Sequence, residues 1–184
     1  CGPSSVALSA RDPASTITSV VSGVTNILNA TLELGTTGIR IFNAASGDCY
    51  GTINEPVTEK SPFNPLSPYA IAKVAGHYLV RNFREEHGLH CCSGFLFNHE
   101  SRLRTNEFII GKTIDYVQKV RAGYKGKLEV QDLSVVRDWG WAPEYVEAIW
   151  GMLQLDSPTD MVIATGESAS LEKFIDDIFR AAGL

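Results

Sequence analysis

The apolar run CCSGFLFN, at residues 91–98, constrains the fold of this chain more than any other stretch. It lacks the regular alternation of polar and apolar residues that a strand with one solvated face requires, and it is typical of a strand buried on both faces of a parallel sheet. Because parallel strands must be joined by crossover connections that are usually helical, this run predicts an α/β fold if helical patterns flank it.

Helical and strand patterns do alternate along the sequence. Amphipathic periodicity predicts helices at 14–34, after Ser67, at 107–123, at 143–155 and at 170–183, and β-rich runs predict strands at 38–46, 91–98, 127–131 and 161–165. The fold requires the segments IRIFNA, GFLF and MVIA to be parallel neighbours in one sheet. Ligands of such sheets bind beyond the carboxyl ends of the strands, so functional residues are expected there.

Composition excludes several classes of protein. The 184 residues are 44% hydrophobic and 20% charged, which is typical of a soluble chain that can bury a core. The net charge of −5 offers no basic surface for nucleic acid or an acidic membrane, so an anionic ligand must be held by a few placed cations. No segment approaches the roughly 20 apolar residues of a membrane span. The four cysteines, two of them adjacent in an apolar run, suit neither zinc nor a disulfide framework, which favours a cytosolic protein.

The heptapeptide SPYAIAK, residues 67–73, places a phenol and an ammonium at helical spacing. Ser67 is a favourable helix N-cap and Pro68 suits the first helical position, so Tyr69 and Lys73 are expected one turn apart on one helix face. A pair of this kind is often only a surface pair. Other residues must therefore decide whether it is functional.

Polar residues also follow two of the predicted strands. Ser46 and Asp48 come at the end of the first strand, and FNHESRLR follows the apolar run. A serine followed by Tyr-x-x-x-Lys on the next helix resembles the catalytic set of the short-chain dehydrogenase/reductase superfamily. The segments NPLSPYAIAK, FNHES, RDWG and YVEAIWGMLQ together resemble the GDP-mannose 4,6-dehydratase family, an extended branch of that superfamily, over nearly the whole chain.

The resemblance implies a fold and a domain division. It implies an α/β fold with a partial Rossmann-like parallel sheet and a small substrate-binding portion. Residues 1–97 and 141–165 are expected to form the nucleotide-binding portion, and residues 98–140 and 166–184 the substrate-binding portion. Family members dimerise through the two long helices, so the resemblance also implies a homodimer or homotetramer.

The resemblance implies a reaction as well: conversion of GDP-D-mannose to GDP-4-keto-6-deoxy-D-mannose, a lyase reaction with bound NADP. In it, Tyr69 takes the proton of the C4 hydroxyl, Ser46 positions that hydroxyl, and Asp48 is the base for C5. A free phenol has a pKa near 10, so we expect Lys73, with the positive nicotinamide, to lower the pKa of Tyr69. The resemblance also implies that NADP is bound by Tyr69, Lys73, His99 and Arg104. It implies that the substrate is bound by Asn98, Lys112 and Arg137.

Several residues depart from the family pattern. Family members usually have Thr-Ser-Glu where this chain has Ser46-Gly47-Asp48, and aspartate is one methylene shorter than glutamate. Asp48 also has an alternative interpretation as a turn-capping residue before Gly51. Proline and glycine are common in the family at the positions of Arg102 and Thr105. No metal site is expected, since His99 and Glu100 have no second ligand at helical spacing.

The glycine-rich loop that seats a dinucleotide pyrophosphate has no counterpart in the sequence. By the resemblance, the chain is expected to be an interior portion of a dehydratase, and by itself to bind NADP weakly and show no turnover. Two alternatives stay open. One is an epimerase or reductase of the same superfamily, which needs Tyr69 and Lys73 but no second base, and the other is a truncated non-catalytic binding or assembly module.

Overall fold

The computed structural model describes residues 6–35, 38–52 and 55–184. Helices and strands alternate through these residues, as the sequence patterns predict. The helices are α1 (Val6–Arg11), α2 (Pro13–Leu34), α3 (Pro68–His87), α4 (Ile109–Arg121), α5 (Ala142–Gln154) and α6 (Leu171–Ala181). The strands are β1 (Ile41–Ser46), β2 (Cys91–Leu96), β3 (Asn98–Glu100), β4 (Val136–Trp141), β5 (Met161–Ile163) and β6 (Ser168–Ser170).

The chain divides into two compact units. The first contains Cys1–Phe97 and Tyr145–Ile163, and the second contains Asn98–Glu144 and Ala164–Leu184. The sequence prediction put the later boundaries at 141 and 165. β4 extends to Trp141 within the second unit, which explains the later start of the returning segment. The nucleotide-binding and substrate-binding roles of the two units stay predictions.

The first unit is built on a parallel sheet with the order β1-β2-β5. Ala45 of β1 pairs with Phe95 of β2, and Phe95 pairs with Val162 of β5. The prediction that IRIFNA, GFLF and MVIA are parallel neighbours is therefore confirmed. β2 is the central strand and its residues Cys91–Phe95 are buried, as its unbroken apolar character indicates.

α2 and α3 pack against one another beside this sheet. Leu28 of α2 and Val80 and Phe83 of α3 form a buried cluster with Cys91 of β2. α2 begins after Asp12, whose side chain accepts a hydrogen bond from the Ser15 N–H at 3.1 Å. The two long helices predicted from periodicity are confirmed, whereas the short α1 was not predicted.

The second unit contains short strands around an apolar cluster. β3 pairs with β4 in parallel, and β4 pairs with β6 in antiparallel orientation. Ile110 of α4 packs with Leu171 and Ile175 of α6. The helices predicted at 107–123 and 170–183 are confirmed, with α6 capped by Ser170, whose hydroxyl accepts from the Lys173 N–H at 3.2 Å.

The strand predicted at 127–131 is wrong. These residues are irregular: Leu128 and Val130 pack on the Ile110 cluster, and the Glu129 carbonyl accepts a hydrogen bond from Lys112 Nζ at 2.8 Å. A β-rich run forms a strand only when a neighbouring strand completes its backbone hydrogen bonds. Among the described residues, no strand pairs with this run.

Membrane insertion was not expected from the sequence. None of the helices in the described part of the chain combines the length and the apolar character needed to span a bilayer.

Candidate functional site

The carboxyl end of β1 passes directly into a short 3-10 helix, Gly47–Tyr50. Ser46 caps this helix, because its hydroxyl oxygen accepts a hydrogen bond from the Asp48 N–H at 3.2 Å. Gly51 ends it with φ of 71°, and the Asn64 carbonyl occupies the place that a Cβ of residue 51 would need. Ser46 and Asp48 are therefore held in a backbone of fixed shape.

α3 carries Tyr69 in its first turn and Lys73 one turn later. The Ser67 hydroxyl caps the helix by accepting from the Ala70 N–H at 3.1 Å. Lys73 Nζ lies 5.5 Å from the centroid of the Tyr69 ring and donates a hydrogen bond to the Ala44 carbonyl of β1 at 2.7 Å. The predicted alignment of the phenol and the ammonium on one helix face is present.

The electrostatics of Tyr69 link it to the end of β1. Burial raises the pKa of Tyr69, a hydrogen bond with Ser46 acts in the opposite direction, and the Asp48 charge raises it further. Burial lowers the pKa of Lys73. The expected lowering of the Tyr69 pKa by Lys73 is therefore not found with the described residues alone, because burial of the phenol has the largest effect on this pKa.

Asp48 and Lys73 both lie close enough to the Cys49 thiol to affect its pKa. Burial raises the pKa of the Cys49 thiol to about 11, with Asp48 raising it and Lys73 lowering it. Cys49 is fully buried, so it is an inert packing residue rather than a nucleophile. The structure thus brings Ser46, Asp48, Tyr69 and Lys73 together within the first unit.

Asp48 does not cap the turn that contains it. Ser46 performs the capping, and the Asp48 carboxylate makes no hydrogen bond or ion pair with the described residues. It is only partly buried. A carboxylate that is placed beside the phenol without a structural partner is available as a base, in contrast to the turn-capping interpretation.

The remaining predicted site residues belong to the second unit. Asn98 and His99 lie in β3 opposite Trp139 and Gly140 of β4. Lys112 is exposed on α4, and the exposed Arg137 of β4 donates to the Val136 carbonyl at 2.9 Å. Arg104 forms an ion pair with Glu100 at 2.7 Å, and its guanidinium carbon lies 4.2 Å from the centroid of the Phe108 ring.

Sequence reasoning missed three features of these loops. It gave no role to Glu100 or Phe108, because the turn that brings Arg104 back to Glu100 has no helical or strand pattern in the sequence. The buried Asp138 of RDWG also anchors the 165–166 turn, accepting from the N–H groups of Thr165 at 3.0 Å and Gly166 at 2.8 Å.

No group of three or more His, Cys, Asp or Glu side chains is arranged for a metal ion within residues 6–35, 38–52 and 55–184.

Comparison with known proteins decides the family. The family model described as GDP-mannose 4,6 dehydratase matches residues 1–184. The chain belongs to the GDP-mannose 4,6-dehydratase family. It is 40% identical to GDP-mannose 4,6 dehydratase 2 of Arabidopsis thaliana over 185 aligned positions, which cover 98% of this chain and 49% of that protein. This member of the dehydratase family therefore spans about half the length of the curated relatives it matches.

Solved structures agree on the fold of this dehydratase-family chain. RMD from Pseudomonas aeruginosa, solved in complex with NADPH, has a TM-score of 0.92 at 25% identity, covering 100% of this chain and 63% of that one. The UDP-glucose 4-epimerase of Thermus thermophilus, solved with NAD, has a TM-score of 0.87 at 24% identity, covering 100% of this chain and 60% of that one. The second likeness shows the fold alone, since one architecture serves several reactions.

Proposed function

We propose that this chain carries the catalytic residues of a GDP-mannose 4,6-dehydratase, a lyase that converts GDP-D-mannose to GDP-4-keto-6-deoxy-D-mannose. The observation that supports this most strongly is the convergence of Ser46, Asp48, Tyr69 and Lys73 at the carboxyl end of β1. The membership of the chain in the GDP-mannose dehydratase family supplies the substrate.

In the proposed reaction, Tyr69 is the base for the C4 hydroxyl of the sugar. Ser46 lies close enough to the phenol to lower its pKa, so it can also hold the C4 hydroxyl in line with it. Lys73 is fixed by the Ala44 carbonyl, and its ammonium, 5.5 Å from the centroid of the Tyr69 ring, is the proposed cation that stabilises the phenolate. Because burial keeps the phenol protonated, a further positive charge is needed to make Tyr69 a base near neutral pH.

Bound NADP would supply that positive charge in its oxidised form and would hold the hydride between its removal from C4 and its return to C6, while C5 regains a proton from water. The residues of the chain fit part of such a cofactor. The phenol, hydroxyl and ammonium stand at the carboxyl end of a parallel strand, where dinucleotides bind in open α/β sheets. In the second unit, Arg104 and His99 are the proposed phosphate-binding and ring-binding groups for NADP. Binding of NADPH by the RMD protein supports the choice of cofactor.

Asp48 is the proposed second base and acid. Oxidation at C4 acidifies the C5 hydrogen, and the Asp48 carboxylate removes that proton and then protonates the C6 hydroxyl, which leaves as water. Asp48 is free of structural partners among the described residues, which supports this role. Its side chain is shorter than the glutamate of the resembled pattern, so the sugar must sit closer to the end of β1.

The substrate and the assembly follow from the same proposal. Asn98, Lys112 and Arg137 are the proposed contacts for the GDP diphosphate and base, since lysine and arginine suit phosphate in an acidic chain. The protein is proposed to be cytoplasmic, because the thiols of Cys49, Cys91 and Cys92 are free, as is usual in a reducing compartment. We propose that the protein forms a homodimer or homotetramer whose interface contains α2 and α3. We propose no nucleic acid or membrane as a partner.

The test uses the natural full-length protein and its Asp48→Asn variant with GDP-mannose. We expect the variant to reduce bound NADP transiently, because Tyr69 and Lys73 remain, and to release on the order of a thousandfold less keto-deoxy product, because the C5 base is gone. Absorbance of the reduced nicotinamide and chromatography of the products separate the two steps. The matched control is Asp156→Asn, an exposed aspartate on the first unit.

Each rival gives a different result. An epimerase or reductase of the same superfamily needs no second base, so equal turnover by the wild type and Asp48→Asn contradicts the dehydratase. A non-catalytic module gives neither reduced nicotinamide nor product in the wild type. The likeness of this fold to a UDP-glucose 4-epimerase is the reason to run UDP-glucose as a second substrate.

A further inference from the structure

The loop after β3 holds an arginine between a carboxylate and an aromatic ring. Arg104 Nε donates to Glu100 Oε2 at 2.7 Å, and Arg104 Nη2 donates to Glu100 Oε1 at 2.8 Å. The guanidinium carbon lies 4.2 Å from the centroid of the Phe108 ring. The pair is well shielded, with side-chain exposures of 25% for Arg104 and 11% for Glu100. Two hydrogen bonds and a ring contact leave the guanidinium little freedom.

The geometry of the ion pair uses only one edge of the guanidinium. A guanidinium has five N–H donors, and the Nε and Nη2 edge takes two of them. The edge formed by Nη1 and the second hydrogen of Nη2 makes no hydrogen bond to a described residue. That edge has the spacing that a phosphate accepts in bidentate fashion. One arginine can therefore hold a carboxylate on one edge and an oxyanion on the other.

We infer that Glu100 is a positioning residue, which fixes Arg104 so that its Nη1–Nη2 edge receives a phosphate oxygen pair of the dinucleotide cofactor. The inference rests on the proposed function, which gives Arg104 to the cofactor, and it adds a role for Glu100 and Phe108. An arginine on a loop otherwise loses side-chain entropy when it binds a ligand. Here that loss occurs on folding, so the bound cofactor gains the full charge-assisted contact.

A carboxylate beside an arginine can also compete with an anionic ligand. In that case Glu100 is an inhibitory contact, and removing it strengthens cofactor binding. The side-on geometry argues against competition, because Glu100 and the phosphate occupy different edges of the guanidinium. Binding data separate the two cases. If Glu100 positions Arg104, its removal weakens cofactor binding, and if Glu100 competes with the cofactor, its removal strengthens binding.

The experiment measures the Kd of NADPH by nicotinamide fluorescence, in the full-length protein, for a double-mutant cycle of Glu100→Gln and Arg104→Met. The glutamine keeps the size of the side chain but places an NH₂ group against a guanidinium donor. We expect each single variant to weaken binding about tenfold, the loss of one charge-assisted contact. We expect the double variant to bind no more weakly than Arg104→Met. The control Glu107→Gln removes an exposed acid from the same loop and should bind as the wild type does.

Thermal unfolding checks that each variant folds, and Glu100→Asp gives a second test if Glu100→Gln does not. Aspartate retracts the carboxylate, so its affinity should fall between those of the wild type and Arg104→Met. Unchanged or tighter binding by Glu100→Gln overturns the inference, and so does full additivity in the double variant, which is the result of a merely structural role. If the wild type does not bind NADPH, or if Arg104→Met binds as tightly as the wild type, the cofactor assignment in the proposed function fails, and the role of Glu100 fails with it.

Discussion

Among single residues, His77 is a buried titratable group that the proposed chemistry does not use. It lies one turn after Lys73 on α3 and is 6% exposed, among the rings of Phe63, Tyr78 and Phe95 at 5.0–5.4 Å. Its Nδ1 atom is buried and has no hydrogen-bond partner among the described residues. Burial lowers the pKa of His77; Asp160 acts against this shift, and Arg84 and Arg81 act with it. The imidazole is therefore held neutral inside the first unit.

This burial predicts a loss of stability in mild acid. The pKa of His77 in the folded protein is below its unfolded value near 6.5, so the unfolded chain binds the proton first as pH falls. The stabilisation is complete above about pH 6.5 and declines as pH decreases through the folded pKa. We expect the free energy of unfolding in urea to fall between about pH 7 and 5, and His77→Phe to reduce that slope.

His87→Phe, which changes an exposed histidine at the end of the same helix, is the matched control and should keep the slope. If His77→Phe shows the same dependence of the free energy of unfolding on pH as the wild type, the role given to His77 is contradicted.

At the scale of elements, α3 connects the candidate site to the far end of the sheet. Its first turn carries Tyr69 under the cap of Ser67, and its last turns carry Arg84, which forms two hydrogen bonds to Asp160 at 2.9 and 2.7 Å. Asp160 also accepts from the Ser93 N–H at 2.7 Å. Burial by itself raises the pKa of Asp160, but the hydrogen bonds from Arg84 and Ser93 outweigh it and the pKa is lowered. The last turns of the helix are thus fixed relative to β2 and to the residue that precedes β5.

The cap predicts a loss of activity that is separable from stability. Ser67→Ala and Ser170→Ala each remove an N-cap hydrogen bond and should each cost about 1 kcal/mol of stability. Only Ser67→Ala frays the turn that holds Tyr69, so we expect it alone to lower kcat of the full-length protein, by about tenfold. Urea unfolding and steady-state kinetics of the two variants check this. Equal kcat in both variants argues against a contribution of the cap to catalysis.

The elements also show what sequence alone could predict. α3 and β2 are specified by local pattern: an N-cap at Ser67 for the helix, and an unbroken apolar run for the central strand. β3, β4 and β6 were not predicted: β3 and β6 have only three residues each, and the three strands depend on one another for their hydrogen bonds. The Tyr69 and Lys73 alignment follows from helical spacing, whereas the raised pKa of Tyr69 follows from burial, which helical spacing does not report.

At the scale of the whole molecule, α2 and α3 leave apolar side chains exposed. Ile17, Ile27, Ile71 and Tyr78 are between 37% and 58% exposed on these two helices. The proposed oligomer covers this face, as the family resemblance implies. Exposed apolar residues are common on single chains, so the face needs a direct test.

We expect the full-length protein to sediment as a dimer or tetramer, and Ile27→Glu to shift it toward the monomer, since a buried charge at an interface is costly. Leu155→Glu, at an exposed leucine just after α5, is the control and should not change the sedimentation coefficient. Sedimentation velocity over a range of concentrations makes the comparison. A wild-type monomer, or an Ile27→Glu variant that assembles as the wild type does, contradicts the proposed interface.

We propose that Ser46, Asp48, Tyr69 and Lys73 together perform an internal oxidation, elimination and reduction on one sugar. Proton and deuterium NMR of the product that the full-length protein forms from GDP-mannose deuterated at C4 tests this proposal. We expect GDP-4-keto-6-deoxymannose with the deuterium at C6, because the hydride removed from C4 returns within the same site. Unchanged substrate, a C4 epimer, or a keto-deoxy product without deuterium at C6 would contradict it.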